Sequence, residues 1–458
     1  MLRGVLLMPS KREPMRKKKL KLEKSLGMQE RAKVLIPGAT QLLSKRPDRF
    51  SLGLWPGYFS KAKGVEVWDM DGNRYVDMSL GGIGANVLGY ADPDVDLAVI
   101  KAIRKGTSSS LNCPEEIELA ELLCELHPWA EMVRYARTGG EAMTIAVRIA
   151  RAHTEKDKVA FCGYHGWHDW YLAANLGTEN ALGEHLISGL NPSGVPKGLT
   201  GTAIPFRYNH LEELQDIVAH HGKELGAIVM EPIRNQKPEP GFLEGVRVVA
   251  SEAGAVWIID EISAGFRLTT GGAHRVLTEA CPDIAVFSKA LGNGYPIAAV
   301  IGKADVMASA QKTFISSTNW TERIGPVAAI ATIRKHRKVD AANHLVALGE
   351  RVQRGWLESA SRHGLSIKVE GMRPMSHFNF AGDKPQAMKA YFIQLMLERG
   401  FLASNLFYAM YAHTFDHVSR YLAAGDQAFE QIAHALAQGD LEKRLLGKPS
   451  SVGFRRMT

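Results

Sequence analysis

Long apolar runs are absent from this 458-residue chain, and cysteine is scarce. No run of eighteen or more apolar residues occurs, so no membrane-spanning helix is expected. The four cysteines (Cys113, Cys124, Cys162 and Cys281) show no C-x-x-C spacing, which argues against a zinc site and against a disulfide framework. We therefore expect four buried, reduced thiols in a cytoplasmic protein.

Excess charge is confined to the N-terminus. The formal net charge is +8, and the first 24 residues alone hold nine Lys/Arg against two acidic residues, a balance of +7. The body of the chain is therefore almost neutral, and no basic nucleic-acid-binding face is expected within the fold. We interpret residues 1–35 as a basic leader arm that is solvated rather than bound to nucleic acid or to a membrane.

Short apolar runs alternate with helical patterns from about residue 90 onwards. The runs at 158–165, 226–232, 255–261 and 284–289 are strand-length and apolar almost throughout. Strands that are apolar on both faces belong in a parallel sheet that is covered by helices on both sides. The pattern predicts a doubly wound α/β domain.

The apolar runs end in side chains with useful chemistry. In open α/β sheets, ligands bind at the carboxyl ends of the strands, so these side chains are expected to converge on one crevice. They are Tyr164-His165, Glu231, Asp260-Glu261 and Lys289.

A glycine turn opens an amphipathic helical pattern in residues 134–154. The turn consists of Thr138, Gly139 and Gly140. Glycines let backbone N–H groups approach a ligand, and a helix N-terminus carries partial positive charge, so the turn suits a phosphate. Taken alone, such a Gly-Gly helix start is more often an ordinary turn, because neither G-x-x-x-x-G-K-[ST] nor a full G-x-G-x-x-G is present.

A phosphate turn, an aromatic residue, a carboxylate and a lysine together fit one cofactor, pyridoxal 5′-phosphate (PLP). Lys289 would form a Schiff base with its aldehyde, and Asp260 would keep its pyridine nitrogen protonated. Tyr164 would stack on one face of the ring, while Ile262 would press on the other. The glycine turn would take the phosphate.

These segments resemble the class III aminotransferases of PLP fold type I, most closely the branch that contains glutamate-1-semialdehyde 2,1-aminomutase. The resemblance runs from about residue 36 to 435. It is carried by "VWDMDGNRYVDM" (67–78), "TGGEA" (138–142), "GYHGWHDW" (163–170), "IIDEISAGFR" (258–267) and "FSKALGNGYPIAAVIG" (287–302). It implies a doubly wound, mostly parallel sheet with a smaller α+β domain that is built from both chain ends.

The resemblance also implies a division of the chain into domains. The N-terminal part of the small domain is expected at 36–89, the large PLP-binding domain at 90–335 and the C-terminal part of the small domain at 336–458. In the last part, residues 364–380 are typical of strands and residues 425–440 of a helix.

The implied activity is PLP-dependent amino transfer from an amine or amino acid donor to a carbonyl acceptor. Lys289 would remove the proton from the amine-bearing carbon, because burial lowers the pKa of a lysine toward neutral pH. His165 and Glu231 are expected beside the cofactor as well. A 2,1-aminomutase is the alternative, since it differs only in retaining its intermediate.

Departures from the family pattern concern the phosphate and the substrate. Gly140 replaces a threonine, which removes one hydroxyl. In this family a Gly-Thr pair reaches the phosphate from a neighbouring subunit, and Thr318 is expected in that role, which implies a homodimer with a shared active site. The aminomutase's substrate-binding arginine is missing, with Lys45 or Arg46 nearby instead, and its tryptophan is absent from "SLGGIGANVLG" (79–89). These changes indicate altered substrate recognition.

Several residues have more than one possible role. Arg234 and Arg373 are candidate binders of a substrate carboxylate, although a structural salt bridge also explains each.

Ser263 lies in "EISAG", which resembles a hydrolase nucleophile elbow but lacks its first glycine. His165 and His168 have the spacing H-x-x-H, yet no third metal ligand is near, so no metal is expected. A non-catalytic binding protein on the same fold is the remote alternative, and the sequence leaves the donor, the acceptor and the choice between dimer and tetramer open.

Overall fold

The computed structural model describes residues 20–453, which contain fourteen strands and thirteen α-helices. None of these helices is long and apolar enough to cross a membrane. The strands are β1 (Phe59–Lys63), β2 (Glu66–Asp69), β3 (Arg74–Asp77), β4 (Met132–Ala136), β5 (Lys158–Cys162), β6 (Ala203–Pro205), β7 (Leu225–Met230), β8 (Val256–Asp260), β9 (Ile284–Phe287), β10 (Ala298–Gly302), β11 (Ile367–Met372), β12 (Met375–Phe380), β13 (Phe401–Leu402) and β14 (Leu406–Tyr408). The helices are α1 (Glu23–Leu35), α2 (Pro93–Ile103), α3 (Glu115–Leu126), α4 (Gly139–Thr154), α5 (Asp169–Leu172), α6 (Ala174–Gly177), α7 (Leu211–His221), α8 (Phe242–Ala253), α9 (Ala304–Met307), α10 (Ile324–Lys338), α11 (Ala341–Arg362), α12 (Pro385–Glu398) and α13 (Phe415–Ala437).

Seven strands form one mixed sheet in the order β4-β10-β9-β8-β7-β5-β6. The strands from β9 to β6 are all parallel. They include the four apolar runs of the sequence, so the predicted doubly wound, mostly parallel sheet is confirmed. Strand β10 is antiparallel to both β4 and β9. The sequence patterns had not identified this strand, because its short apolar run follows the lysine turn directly.

Both faces of the sheet are covered. In β8, Ile258 packs into the core that contains the apolar face of α4, whereas Trp257 and Ile259 pack into the core that contains α8. Every residue of β8 is buried. This two-sided burial explains why the strands read as continuous apolar runs rather than as alternating ones.

One edge of this sheet collects the carboxyl ends of its parallel strands. Because β10 is antiparallel to both of its neighbours, β4 runs in the same direction as β9. The start of α4, which follows β4, therefore lies at the same edge as the residues that follow β5, β7, β8 and β9. This topology gathers the predicted site residues into one crevice.

Two smaller sheets are built from the ends of the chain, and the first of them combines both ends. Their orders are β1-β2-β3-β13 and β11-β12-β14. The predicted N-terminal hairpin is present as β2 and β3, and β13 from the C-terminal part pairs with β3 in parallel. The domain boundaries at 89/90 and 335/336 stay a prediction.

The N-terminal segment is partly folded. In α1, the backbone amides of Lys24 and Ser25 each donate to the Asp71 carboxylate at 2.8 Å. Ser25, Gln29 and Ala32 are buried. One face of α1 therefore packs against the body of the protein, in contrast to the solvated arm expected from the sequence, and residues 1–19 lie outside the described residues.

The cysteine prediction was wrong in one respect. All four cysteines are free thiols, but only Cys162 is buried. Cys113 and Cys124 are partly exposed, and Cys281 is exposed because it lies in the turn before β9 rather than in a strand.

Candidate active site

Lys289 lies just beyond the end of β9, in the crevice. Its backbone has a φ of +46°, in the left-handed region that residues with a side chain seldom adopt. Its Nζ donates to Ser263 Oγ at 2.7 Å. Burial, together with the nearby Arg234 guanidinium, lowers the pKa of Lys289 from 10.5 to about 8. The amine is therefore able to gain and lose a proton near physiological pH.

Asp260 ends β8 and is 2% exposed. One carboxylate oxygen lies 2.8 Å from His165 Nδ1, and the other accepts from the Ile262 amide at 3.0 Å. His165 Nε2 lies 3.1 Å from the Cys162 carbonyl oxygen. Both ring nitrogens of His165 thus face oxygen atoms, which fixes the orientation of the ring. The predicted pair of residues is brought together across 95 positions of the chain.

Tyr164 follows β5 and is held from two sides. Its amide donates to Glu231 Oε2 at 3.1 Å, and the same oxygen accepts from Arg234 Nη1 at 3.2 Å. The Arg234 guanidinium carbon lies 5.7 Å from the centre of the Tyr164 ring. Burial raises the pKa of Tyr164, so the phenol stays neutral. Glu231 therefore positions the aromatic residue and the cation above it.

The predicted phosphate turn is the N-terminus of α4. Thr138 caps this helix: its Oγ1 accepts from the Glu141 amide, while the Glu141 side chain accepts from the Thr138 amide at 2.9 Å. Helix geometry leaves the amides of Gly139 and Gly140 without partners inside the helix. The two glycine amides, rather than the occupied Thr138 hydroxyl, are thus the donors that an anion would find.

The glycines of this turn are required by close packing. A Cβ on Gly139 would lie 2.8 Å from Ile262 Cδ1, and a Cβ on Gly140 would lie 3.0 Å from His168 Cδ2. Ile262 thereby connects the phosphate turn with Asp260. A pair of free amides, a buried carboxylate, an aromatic side chain and a reactive amine now lie at one edge of the sheet. This set fits the phosphate, ring nitrogen, ring face and aldehyde of PLP.

Thr318 lies apart from this set. It is exposed and begins a short 3₁₀ segment, Thr318–Thr321. The surrounding loop is fastened to the residues before the glycine turn, because Arg134 donates to the Ile315 carbonyl and Arg137 donates to the Trp320 carbonyl. Within residues 20–453, no hydrogen bond joins the Thr318 hydroxyl to the turn.

Sequence reasoning missed two residues of the crevice, Arg267 and Tyr408. Arg267 is 1% exposed, and it donates to the carbonyl oxygens of Gly84 and, at 3.4 Å, of Ser263. No salt bridge of Arg267 to a carboxylate occurs in the part of the chain that the structure describes. Burial lowers its pKa to about 10. Burial raises the pKa of Tyr408, and the positive charges of Arg234 and Arg267 oppose that rise. The sequence did contain a signal for Arg267, because it is a charged residue inside the otherwise apolar stretch "AGFRL" (264–268).

The other predicted cations are engaged elsewhere. Arg46 binds Asp48 through two hydrogen bonds of 3.0 and 2.7 Å, and Arg373 lies 3.5 Å from Glu350 at the surface. Among the described residues, no cluster of three His, Cys, Asp or Glu side chains could hold a metal ion. Arg234 is therefore the candidate carboxylate binder whose guanidinium lies beside Tyr164.

Comparison with known proteins decides the family. The family model "Aminotransferase class-III" matches residues 55–434. The chain belongs to the class III aminotransferases. This aminotransferase is 35% identical to the 3-aminobutyryl-CoA aminotransferase of Cloacimonas acidaminovorans (strain Evry) over 409 residues, which cover 86% of this chain and 94% of that one. It is 31% identical over 407 residues to the 2'-deamino-2'-hydroxyneamine transaminase of Streptomyces kanamyceticus, with coverages of 86% and 93%.

A solved structure of a PLP-containing protein has the same fold as this chain. The PLP internal aldimine form of the FumI protein of a Sphingopyxis species superposes with a TM-score of 0.82 at 24% identity, covering 93% of this aminotransferase and 99% of that chain. The fold is therefore the PLP-dependent fold type I. The enzyme uses PLP and moves amino groups, as the sequence resemblance predicted. Both curated relatives are named for amino transfer rather than for an aminomutase reaction.

Proposed function

We propose that Lys289 anchors PLP and carries the proton in amino transfer. The observation that supports this most is the Lys289 amine itself, which lies in the crevice with its pKa lowered to about 8 by burial. Bound PLP supplies an aldehyde that a lysine amine captures and a ring that draws electrons from the amine-bearing carbon. Lys289 takes the proton from that carbon and later returns it. At pH 7 about a tenth of such amines are uncharged and can accept a proton.

The neighbouring side chains hold the ring in this proposal. Asp260 would hold a proton on the ring nitrogen of bound PLP, and His165, 2.8 Å away, would fix the orientation of Asp260. Tyr164 and Ile262 would pack against the two faces of bound PLP. Glu231 holds Tyr164 in place through the backbone amide at 3.1 Å.

The phosphate is assigned to the start of α4. The free amides of Gly139 and Gly140 point out of the first helical turn, where the helix dipole favours an anion. Thr138 supports them as the helix cap. Thr318 of the partner subunit completes the phosphate site in a homodimer with a shared active site.

Exposed apolar side chains support a homodimer. Phe314, Leu111 and Trp167 are 90%, 82% and 70% exposed. The Arg323 amide donates to the Thr107 carbonyl at 2.9 Å, which joins the chain after Phe314 to the chain before Leu111, and a Cβ on Gly140 of the phosphate turn would lie 3.6 Å from Trp167 Nε1. Large apolar side chains grouped on one surface indicate an interface. A second copy of this chain is the proposed occupant.

An amino acid is the proposed donor, with its carboxylate bound by Arg234. The Arg234 side chain is 45% exposed while Glu231 is buried, so one edge of the guanidinium remains accessible beside Tyr164. A guanidinium binds a carboxylate through two parallel hydrogen bonds.

The proposed acceptor is larger than a simple keto acid. Gly82, Ile83, Ala85 and Asn86, from the segment that lacks the tryptophan, line a cavity of about 590 Å³ that reaches the turn after Lys289. The names of the two relatives described above, a 3-aminobutyryl-CoA aminotransferase and a 2'-deamino-2'-hydroxyneamine transaminase, also indicate substrates larger than a simple keto acid. Replacing Ile83→Trp should narrow the cavity and lower turnover of a bulky acceptor, while turnover of pyruvate in the same variant stays unchanged. Equal losses for both acceptors would contradict this assignment.

A cytoplasmic location completes the proposal. It is supported by the four free thiols, which are typical of a reducing compartment. Fractionation of cells that express the full chain tests it.

An absorbance experiment tests the role of Lys289. Wild-type protein that is loaded with PLP should show the visible band of lysine-bound cofactor, and Lys289→Ala should lack it, while Lys312→Ala, a change at an exposed lysine, should keep it. Titration with glutamate, alanine, β-amino acids and diamines then identifies the donor as the amine that bleaches the band. A band of normal intensity in Lys289→Ala would overturn the assignment.

A mixing experiment tests the shared active site. Lys289→Ala and Thr318→Ala are each expected to impair activity as homodimers. After the two are mixed and subunits exchange, hybrid dimers contain one intact site if Thr318 acts across the interface, so activity should rise above both parents. Activity that stays at the average of the parents would place Thr318 in its own subunit's site or outside both.

A further inference from the structure

Ser263 is the residue whose side chain contacts the Lys289 amine. Its Oγ lies 2.7 Å from Lys289 Nζ, and within residues 20–453 this is the single hydrogen bond to that nitrogen. We propose that Ser263 is a positioning residue, whose hydroxyl holds the Lys289 amine at one place in the crevice for proton transfer. The proposal rests on the role of Lys289 proposed above.

The turn that carries Ser263 is packed tightly against the end of β9. The Gly265 amide donates to the Glu261 carbonyl at 2.8 Å. A Cβ on Gly265 would lie 2.7 Å from that carbonyl oxygen and 3.0 Å from the ring of Phe287, which precedes Lys289 by two residues. The distance between Ser263 and Lys289 is therefore set by direct contact between their two turns rather than by flexible loops.

Arg267 fixes Ser263 from the other side. Its Nε donates to the Ser263 carbonyl oxygen at 3.4 Å, and its Nη2 donates to the carbonyl oxygen of Gly84. Because Arg267 is 1% exposed, these bonds are shielded from water. Ser263 is thus held by its backbone while its hydroxyl is directed at Lys289.

A hydroxyl suits a partner that changes its protonation. It has one hydrogen and two lone pairs, so it accepts a hydrogen from the charged ammonium and also from the neutral amine. When the neutral amine donates to Oγ, its own lone pair stays free to accept the substrate proton. Lysine has a flexible four-carbon stem, so without Ser263 the amine is expected to move among several rotamers.

Acetylation of the PLP-free protein tests the contact. The protein is treated with acetic anhydride between pH 6 and 10, and labelling of Lys289 is measured by mass spectrometry relative to exposed Lys312. Wild type should reach half-maximal labelling near pH 8. In Ser263→Ala the midpoint should fall by about one unit, because the ammonium form loses a hydrogen-bond acceptor. Ser263→Thr, which keeps the hydroxyl, should restore the wild-type midpoint.

The rate of PLP capture tests the positioning. At pH 9.5, above both midpoints, the amine is largely uncharged, so the rate reports its placement. The visible band should form about tenfold more slowly in Ser263→Ala than in wild type or Ser263→Thr. Thermal unfolding of the three proteins verifies that each is folded.

The outcomes separate this proposal from the assignment of Lys289. An unchanged midpoint together with an unchanged capture rate in Ser263→Ala overturns the role of Ser263, as does a failure of Ser263→Thr to restore both. If instead Lys289→Ala captures PLP as fast as wild type, the proposed function itself fails.

Discussion

Replacement of Lys289 by methionine should stabilise the PLP-free protein at neutral pH. Burial lowers the pKa of this amine from 10.5 in the unfolded chain to about 8 in the folded one. The unfolded chain therefore holds this proton more tightly, and the charged amine opposes folding. At about 1.4 kcal/mol per pKa unit, the cost is about 3 kcal/mol, which we reduce to about 2 kcal/mol because the side chain keeps some contact with water.

The pH dependence of this cost follows from the two pKa values. Below pH 8 the amine is charged in both states, so the full cost is present. Between pH 8 and 10.5 the folded protein loses the proton first, and the stability of wild type rises relative to the variant. Above pH 10.5 the amine is neutral in both states. The advantage of Lys289→Met should therefore shrink from about 2 kcal/mol to near zero across this window.

Urea unfolding at pH 7, 8.5 and 10 measures the effect. Wild type, Lys289→Met and the surface control Lys312→Met are compared without PLP and at equal protein concentration, because association also stabilises folded protein. Other titrating groups are common to the three proteins and cancel in the differences. A difference between wild type and Lys289→Met that is constant with pH, or a less stable variant at pH 7, would refute the reasoning.

Three further changes test the crevice. Asp260→Asn keeps the shape but removes the charge that holds a proton on the ring nitrogen, so the donor-dependent bleaching of the PLP band should slow by at least about 100-fold, and a wild-type rate would contradict the role. Gly139→Ala brings a Cβ to 2.8 Å from Ile262, which should lower the free energy of unfolding by about 1–3 kcal/mol and weaken PLP binding in an equilibrium titration. Thr138→Ala removes the cap of α4 and should cost about 1 kcal/mol in urea unfolding, whereas Thr138→Ser should cost little.

The sheet and much of the candidate site could be predicted from the sequence. Strands buried on both faces leave continuous apolar runs, and the residues after those runs must meet at one edge of a parallel sheet. Asp260 and Lys289 were found in this way, and the turn before α4 was found from its glycines. The direction of β10 could not be predicted, because a five-residue apolar strand has the same sequence pattern in parallel and in antiparallel pairing.

Contacts between distant turns were decided by the tertiary structure alone. The hydrogen bond from Arg267 to Gly84 spans 183 positions, and that from His165 to Asp260 spans 95. Ser263 was considered as a possible nucleophile, and only the packing of its turn against β9 shows it beside the Lys289 amine. By itself the sequence determined where the strands and helices lie and which reactive side chain follows each strand, because periodicity and residue type are local properties of the chain. Which side chains contact one another depended on how turns that are distant in sequence pack together, and local sequence patterns carry no information about that packing.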